Sequence, residues 1–181
     1  MTATPIRIAM WSGPRNLSTA MMYSFAARGD CAVWDEPFYA AYLKATGIDH
    51  PMTAEVIAAG EPDPARVAAT CLGPVPEGQP IWYQKHMTLH MIPAFDRGFL
   101  HGLTNAFLIR HPARVIASYA QKREAPTLAD IGFLQQAELF DQVADLTGKA
   151  PPVIAAESIR TTSPASRASG GKFAQRSAPA A

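Results

Sequence analysis

Ile6-Arg7-Ile8-Ala9-Met10-Trp11-Ser12-Gly13-Pro14-Arg15-Asn16-Leu17-Ser18-Thr19 is the stretch whose reading decides the fold. Ile6 to Trp11 is a short, nearly continuous apolar run, and Ser12-Gly13-Pro14 stops it, the pattern of a buried strand ending in a turn. Leu17, Met21 and Phe25 then recur at helical spacing, and Gly29 supplies a stop. Strand, loop and helix in that order bring a helix N-terminus, with its free N–H groups and partial positive charge, to the end of a strand. Phosphate groups bind readily at such a place.

Working outward, the same alternation continues. Cys31 to Trp34 reads as a second strand ending at Asp35-Glu36-Pro37, and Tyr39 to Ala45 as a helix ended by Gly47. The stretch from His50 to Gly78 is rich in Pro and Gly, with helical pieces around Val56 and from Arg66 to Cys71; it reads as a surface excursion and a lid. Ile81 to Gln84 is a third strand running into Lys85-His86, and Thr104 to Ile109 a fourth, ending at Arg110-His111-Pro112. Val115, Ile116 and Tyr119 continue as a helix, Leu128 to Leu146 as a longer one, and Val153 to Ala156 as a fifth strand. Strands alternating with helices imply right-handed crossovers and an α/β fold of three layers, α/β/α, around a central, mainly parallel sheet. In such sheets ligands bind beyond the carboxyl ends of the strands, where every polar cluster named here falls.

Composition narrows the function classes. The chain has 181 residues, 48% of them hydrophobic and 17% charged, which is a globular composition able to bury one core. Its formal net charge of +1 gives no general electrostatic case for nucleic acid, so any basic function is local. The two cysteines, Cys31 and Cys71, lie far apart without a CxxC partner and read as buried free thiols. Met1-Thr2-Ala3-Thr4-Pro5 carries no basic region before a long apolar run, and no apolar stretch is long enough to span a bilayer. No membrane partner and a cytoplasmic location are therefore expected. Residues 1–160 are read as one domain. Thr161 to Ala181 consists of Ser, Thr, Ala, Pro, Gly and basic residues, with Phe173 as its one large apolar side chain, and is expected to be a disordered low-complexity tail.

Two motifs carry chemistry. In Ser12 to Thr19, Arg15 can add a bidentate cation and Ser18 and Thr19 hydroxyl donors to the helix N-terminus. The loop is not a Walker A loop, because the places of Gly-Lys-Ser/Thr hold Ser18-Thr19-Ala20. An ordinary helix cap by Asn16 or Ser18 remains open beside the phosphate reading. In the second motif, Arg110 sits at a strand end and Ser118 lies about two turns into the next helix, so both can reach one phosphate; a capped helix with a solvated Arg is the plainer reading. Trp11, Trp34 and Trp82, in or beside strands, read as core packing rather than adenine stacking. His90, His101 and His111 lack metal-ligand spacing and read as structural or surface residues, His90 being the strongest exception.

Together the motifs resemble the sulfotransferase superfamily, which has a P-loop NTPase-like architecture. Pro14-Arg15-Asn16-Leu17-Ser18-Thr19 is similar to that family's 5′-phosphosulfate loop, usually Pro-Lys/Arg-Ser-Gly-Thr-Thr, and with Gly13 before it is the expected cofactor-binding loop. Arg110 and Ser118 resemble its 3′-phosphate pair, at the same eight-residue separation. Asp35-Glu36-Pro37-Phe38 is similar to a Glu-Pro motif after strand two, and Gln84-Lys85-His86-Met87 to a Lys/His strand end. The whole pattern, from Ile6 to Glu157, most resembles a bacterial and plant subgroup named sulfotransferase-like, also labelled branched-chain-aminotransferase-like. Leu17 stands where most members have Gly, and Arg15 replaces the commoner Lys. A later basic, Gly-containing loop that closes over the nucleotide has no counterpart here, so the C-terminal part reads as altered or truncated.

The resemblance implies a cofactor, 3′-phosphoadenosine 5′-phosphosulfate, with adenosine 3′,5′-bisphosphate as its product, and no metal. It implies transfer of a sulfuryl group to a hydroxyl or amine of a small-molecule acceptor, helped by positioning and charge neutralisation. Arg15 and the N–H groups of Leu17 to Thr19 would hold the 5′-phosphate, and Arg110 and Ser118 the 3′-phosphate. Glu36 is the preferred general base and His86 the second, both expected to face one crevice, with Lys85 an added cation. A loop or capping carboxylate for Glu36 and a structural hydrogen bond for His86 stay open. A kinase or NTPase, with Asp35 as its Mg²⁺ ligand, and a non-catalytic nucleotide-binding remnant are the competing readings. All of this requires the Ser12–Thr19 loop and the Arg110–Ser118 pair to open on a common crevice, a nucleotide's length apart.

Overall fold

The computed structural model describes residues 4–120 and 131–162. Five strands, β1 (Ile6–Ser12), β2 (Cys31–Asp35), β3 (Ile81–Met87), β4 (Thr104–Ile109) and β5 (Val153–Ala155), form one sheet in the order β2-β3-β1-β4-β5. Every pairing is parallel. The helices are α1 (Ser18–Ala26), α2 (Tyr39–Thr46), α3 (Thr53–Ala59), α4 (Pro64–Leu72), α5 (Pro112–Ala120), α6 (Phe133–Thr147) and α7 (Ala156–Thr162).

The continuous apolar reading of β1 has a direct cause. The strand is paired on both edges, with Trp11 opposite His86 of β3 and Phe107 of β4, and both its faces are covered. Met10 joins Met22, Tyr83, Ala106 and Leu108 on one face. Ala9 and Trp11 join Phe38, Val67, Cys71, Phe107, Leu139 and Val143 on the other. Helices thus lie on both sides of the sheet, giving three layers. No described helix is long and apolar enough to cross a membrane.

Local chemistry sets the element ends. Gly47 is left-handed (φ 64°) and its N–H bonds Leu43 O, closing α2. Asp63 caps α4 through a 2.9 Å bond from Ala65 N, with Pro64 in the first turn. Several boundaries differ from the sequence reading. β3 runs on to Met87, so Lys85 and His86 lie within the strand. The start of α6 is set by left-handed Gly132 (φ 69°), so the helix begins at Phe133; residues 128–130, where it was expected to start, lie outside the described residues. The fifth strand ends at Ala155, and Ala156 starts α7, a helix that was not expected and that passes the expected domain end at residue 160 by two residues. The expected tail lies, from residue 163 on, outside the described residues.

The His50–Gly78 stretch is more than a surface excursion. Val67 and Cys71 of α4 are completely buried, and Gln84 Nε2 donates to Cys71 O at 2.8 Å, tying α4 to β3. Burial pushes the Cys71 thiol up to about 12, as befits an inert core sulfur, whereas Cys31 is only partly buried; both are free thiols. A second buried network holds the crossover to β4. Trp11 Nε1 donates to Asn105 Oδ1 (2.9 Å), and Asn105 Nδ2 donates to Leu100 O (2.7 Å) and Leu103 O (3.2 Å).

Gly13 is required by closeness rather than by φ. A Cβ there would stand 2.7 Å from Ile131 O, a backbone atom of the segment leading into α6. Gly13→Ala is expected to cost about 1–3 kcal/mol of stability through forced backbone movement. Urea unfolding of the two proteins measures it, and an unchanged midpoint would contradict the close approach.

Candidate functional site

β1 ends in the centre of the sheet, so its loop emerges between β3 and β4, where the chain departs to opposite sides. The loop is held from below. Asn16 is buried and donates through Nδ2 to Leu108 O at 3.2 Å, where Gln136 Nε2 also donates at 3.0 Å. Arg15 (φ 64°) and Leu17 (φ 63°) are both left-handed. For residues with a Cβ this costs about 1–2 kcal/mol each, and it explains why the loop resembled has Gly where this chain has Leu17. The Leu17 side chain is partly buried against the Met10 cluster.

The two capping readings are not realised. Leu17 occupies the N-cap position of α1, and no side chain caps the helix there; Asn16 is turned to β4 instead. The first N–H groups of α1 are therefore left uncapped by any side chain, with exposed Thr19 beside them and Ser18 buried. Ser12 Oγ and Asn16 Oδ1 are buried without a hydrogen-bond partner at the base of the same loop.

The two sequence motifs meet. Arg15 Nε donates to Ser118 Oγ at 3.0 Å, and Arg110 Nη1 donates to Arg15 O at 2.8 Å. The motifs lie side by side at the carboxyl ends of β1 and β4, and the Arg15 side chain bridges them instead of standing the expected nucleotide's length from Ser118. Among the described residues neither Arg15 nor Arg110 makes a salt bridge to a carboxylate. The donor set is two guanidiniums, a hydroxyl and helix N–H groups, which suits phosphate or sulfate oxygens. Beside Arg110 is a cavity of about 430 Å³ lined also by His111, Arg114 and Glu157, with Arg114 Nη1 3.9 Å from Glu157 Oε1. The sequence reading gave Glu157 no role; its only signal was its place just after the fifth strand.

At the ends of β2 and β3 a second charged group forms. Lys85 Nζ, almost fully buried, lies 2.6 Å from Asp35 Oδ1 and 2.5 Å from Glu36 Oε1. Burial opposes the Lys85 charge, but the Glu36 and Asp35 carboxylates outweigh it and hold the ammonium above its usual range. Glu36 is itself left-handed (φ 48°) immediately before Pro37, a conformation costing about 1–3 kcal/mol and characteristic of functional positions. Asp35, the Mg²⁺ candidate of the kinase reading, is thus engaged by an ammonium.

His86 is not brought to the crevice beside Glu36. Neighbouring residues on a strand point to opposite faces, so Lys85 reaches the carboxylates while His86 stacks on Trp11, with ring centroids 4.3 Å apart, and is 2% exposed. Gln84 Nε2 already donates to Cys71 O, so Gln84 Oε1 accepts from His86 Nε2 at 3.2 Å. This is the structural hydrogen bond left open by the sequence. Trp11 and Trp82 are core residues, as expected, and Trp34 stacks on Trp82 at 5.6 Å.

A family model described as a sulfotransferase domain matches residues 6–155. Branched-chain-amino-acid aminotransferase-like protein 1 of Arabidopsis thaliana is 32% identical over 159 residues, covering 87% of this chain and 28% of that protein. Branched-chain-amino-acid aminotransferase-like protein 2 of the same plant is 30% identical over 153 residues, covering 84% of the chain and 27% of that protein. The chain thus spans under a third of the length of the curated relatives it matches. Among solved structures, a shikimate kinase from Bacteroides thetaiotaomicron is similar with a TM-score of 0.44 and 14% identity, over 84% of this chain and 86% of that one.

Burial, reinforced by the neighbouring cations, pushes His86 and His90 down to about 3. Both stay neutral in the folded chain, whereas in the unfolded chain they take up protons below about pH 6.5. Stability is therefore present above that pH and is lost as pH falls toward 3. Each histidine is expected to remove of the order of 1–2 kcal/mol between pH 6.5 and 5. Urea unfolding across that range checks this: His86→Gln should flatten the slope, whatever it does to the midpoint.

Proposed function

The chain belongs to the sulfotransferase domain family, and from that premise we propose that it binds 3′-phosphoadenosine 5′-phosphosulfate in the crevice over β1 and β4 and transfers the sulfuryl group to a hydroxyl or amine of a small acceptor. The observation that carries the reading is the meeting of the two motifs, Arg15 Nε on Ser118 Oγ at 3.0 Å and Arg110 on Arg15 O at 2.8 Å. When bound, the cofactor supplies an activated sulfuryl group on a good leaving group.

The protein's part is binding, orientation and proton handling. The uncapped N–H groups of Leu17 to Thr19 and the Arg15 guanidinium hold the 5′-phosphate end, with Gly13, Pro14 and Asn16 shaping the loop. Arg110 and Ser118 hold the 3′-phosphate. The Ser118 hydroxyl accepts from Arg15 and still has its own O–H to donate, so the contact between the motifs is compatible with an occupied site. With the cofactor bound, Arg15 would neutralise charge growing on the leaving oxygen of its 5′-phosphate. Glu36 serves as general base: Lys85 engages Oε1, and Oε2 receives the acceptor's proton. His86 serves packing, since its Nε2 proton is committed to Gln84. The engagement of Asp35 by Lys85 favours this reading over an Mg²⁺-dependent kinase.

Calorimetric titration with adenosine 3′,5′-bisphosphate, with ATP as the control, tests the proposal. Tighter binding of the bisphosphate is expected, weakened about 10- to 100-fold in Arg110→Ala and in Arg15→Ala. Equal or better binding of ATP would sink it.

A further inference from the structure

The cavity of about 430 Å³ beside Arg110 has an apolar side, Ile109 and Ala155 at the ends of β4 and β5, and a charged side, Arg110, Arg114 and Glu157. Arg114 lies in the first turn of α5. It stands one helical turn before Ser118, so the two side chains share a face of the helix. That is the face Ser118 presents to Arg15. Arg110, directly after β4, lines the same cavity and donates to Arg15 O. Arg15, Arg110, Arg114 and Ser118 thus form one continuous group of donors.

The partner of Arg114 is Glu157, at the start of α7. Arg114 Nη1 is 3.9 Å from Glu157 Oε1, against about 2.7–2.9 Å in a charge-assisted hydrogen bond. Glu157 Oε1 has no hydrogen-bond partner. The two side chains are 57% and 38% exposed, so solvent screens the pair and it holds weakly. The Glu157 carboxyl is held below its usual range, first by its own backbone N–H and further by the His111 N–H, Arg114 and Arg110, against a desolvation cost. A loose ion pair on the wall of a cavity leaves its guanidinium open to a better partner.

Charge and geometry decide which partner is better. A phosphate monoester carries about two negative charges at pH 7. Of the pair that would hold the 3′-phosphate, Ser118 contributes no charge and Arg110 contributes one, and Arg110 Nη1 is already committed to Arg15 O. Arg114 supplies the second charge, and its planar fork suits two phosphate oxygens at once. Glu157, singly charged and held at a distance, is the weaker competitor.

We propose that Arg114 is a third phosphate-binding cation of the crevice, exchanging the Glu157 carboxylate for the nucleotide's 3′-phosphate, and that this exchange sets the preference for a nucleotide carrying that phosphate. The inference rests on the cofactor reading and adds to it two residues that grade its selectivity. No covalent bond is made or broken in the exchange.

Calorimetric titration of the full chain with adenosine 3′,5′-bisphosphate, and with adenosine 5′-monophosphate as the ligand lacking the 3′-phosphate, tests it. Arg114→Ala is expected to weaken the bisphosphate about tenfold and the monophosphate by less than about twofold. Glu157→Gln is expected to tighten the bisphosphate about threefold, and only while Arg114 is present. In the unaltered chain the Arg114 Nε resonance should shift with the bisphosphate and stay in place with the monophosphate. Equal weakening of both nucleotides marks a structural role and overturns the proposal. So does a gain from Glu157→Gln that is the same with and without Arg114, which makes Glu157 a plain repulsive charge. Should Arg114→Ala not fold, the resonance titration decides, and an unmoved Arg114 signal is fatal. Bisphosphate binding that needs Arg110 but not Arg114 refutes the exchange alone. An unaltered chain that does not bind the bisphosphate refutes the cofactor reading, and the exchange with it.

Discussion

The parallel pairing of β1 with β3 on one edge and β4 on the other is the constraint on which the rest of the structure depends. A parallel central strand must be covered on both faces, which calls for the two apolar clusters of Trp11 and of Met10. It must also release its chain between neighbours that depart to opposite sides. The loop of Arg15 and Leu17, the Arg110 turn and the Lys85 end of β3 therefore converge because the sheet is ordered as it is. None of these groups approaches another through local sequence.

Three of the five left-handed non-glycine residues among the described ones lie at these strand ends, Arg15 and Leu17 after β1 and Glu36 after β2; the other two, Met52 and Glu77, lie in the His50–Gly78 stretch. Such conformations persist where the surroundings over-determine them. Here the surroundings are identifiable. Asn16 and Gln136 both bond Leu108 O beneath the first loop, Arg110 bonds the Arg15 carbonyl above it, and Lys85 with Tyr39 N holds Glu36. The rigid core thus stabilises a rim whose backbone would relax if left alone.

The end of β3 separates two kinds of work by the simple parity of a strand. Lys85 turns toward carboxylates and holds two negative groups in place, whereas His86, one residue on, joins the packing of Trp11 and the Gln84–Cys71 hydrogen-bond chain. Gln84 thereby satisfies both Cys71 O and His86 Nε2, whereas His90, four positions beyond His86, keeps a buried Nδ1 without a hydrogen-bond partner.

The sequence by itself determined the repeating strand–loop–helix order, the loop at Ser12–Thr19, the Arg110–Ser118 pair and the family to which they point, because periodicity, turn residues and spacing are local properties. Leu17 was visible as a departure from the resembled loop, though its left-handed backbone was not. What only the tertiary structure decided was which groups meet. The strand order, the Arg15–Ser118 bond, the capture of Asp35 and Glu36 by Lys85, the core placement of α4 and the loss of His86 to the interior all depend on partners distant in the chain. A side chain's face is fixed by what packs against it, and no local pattern carries that information.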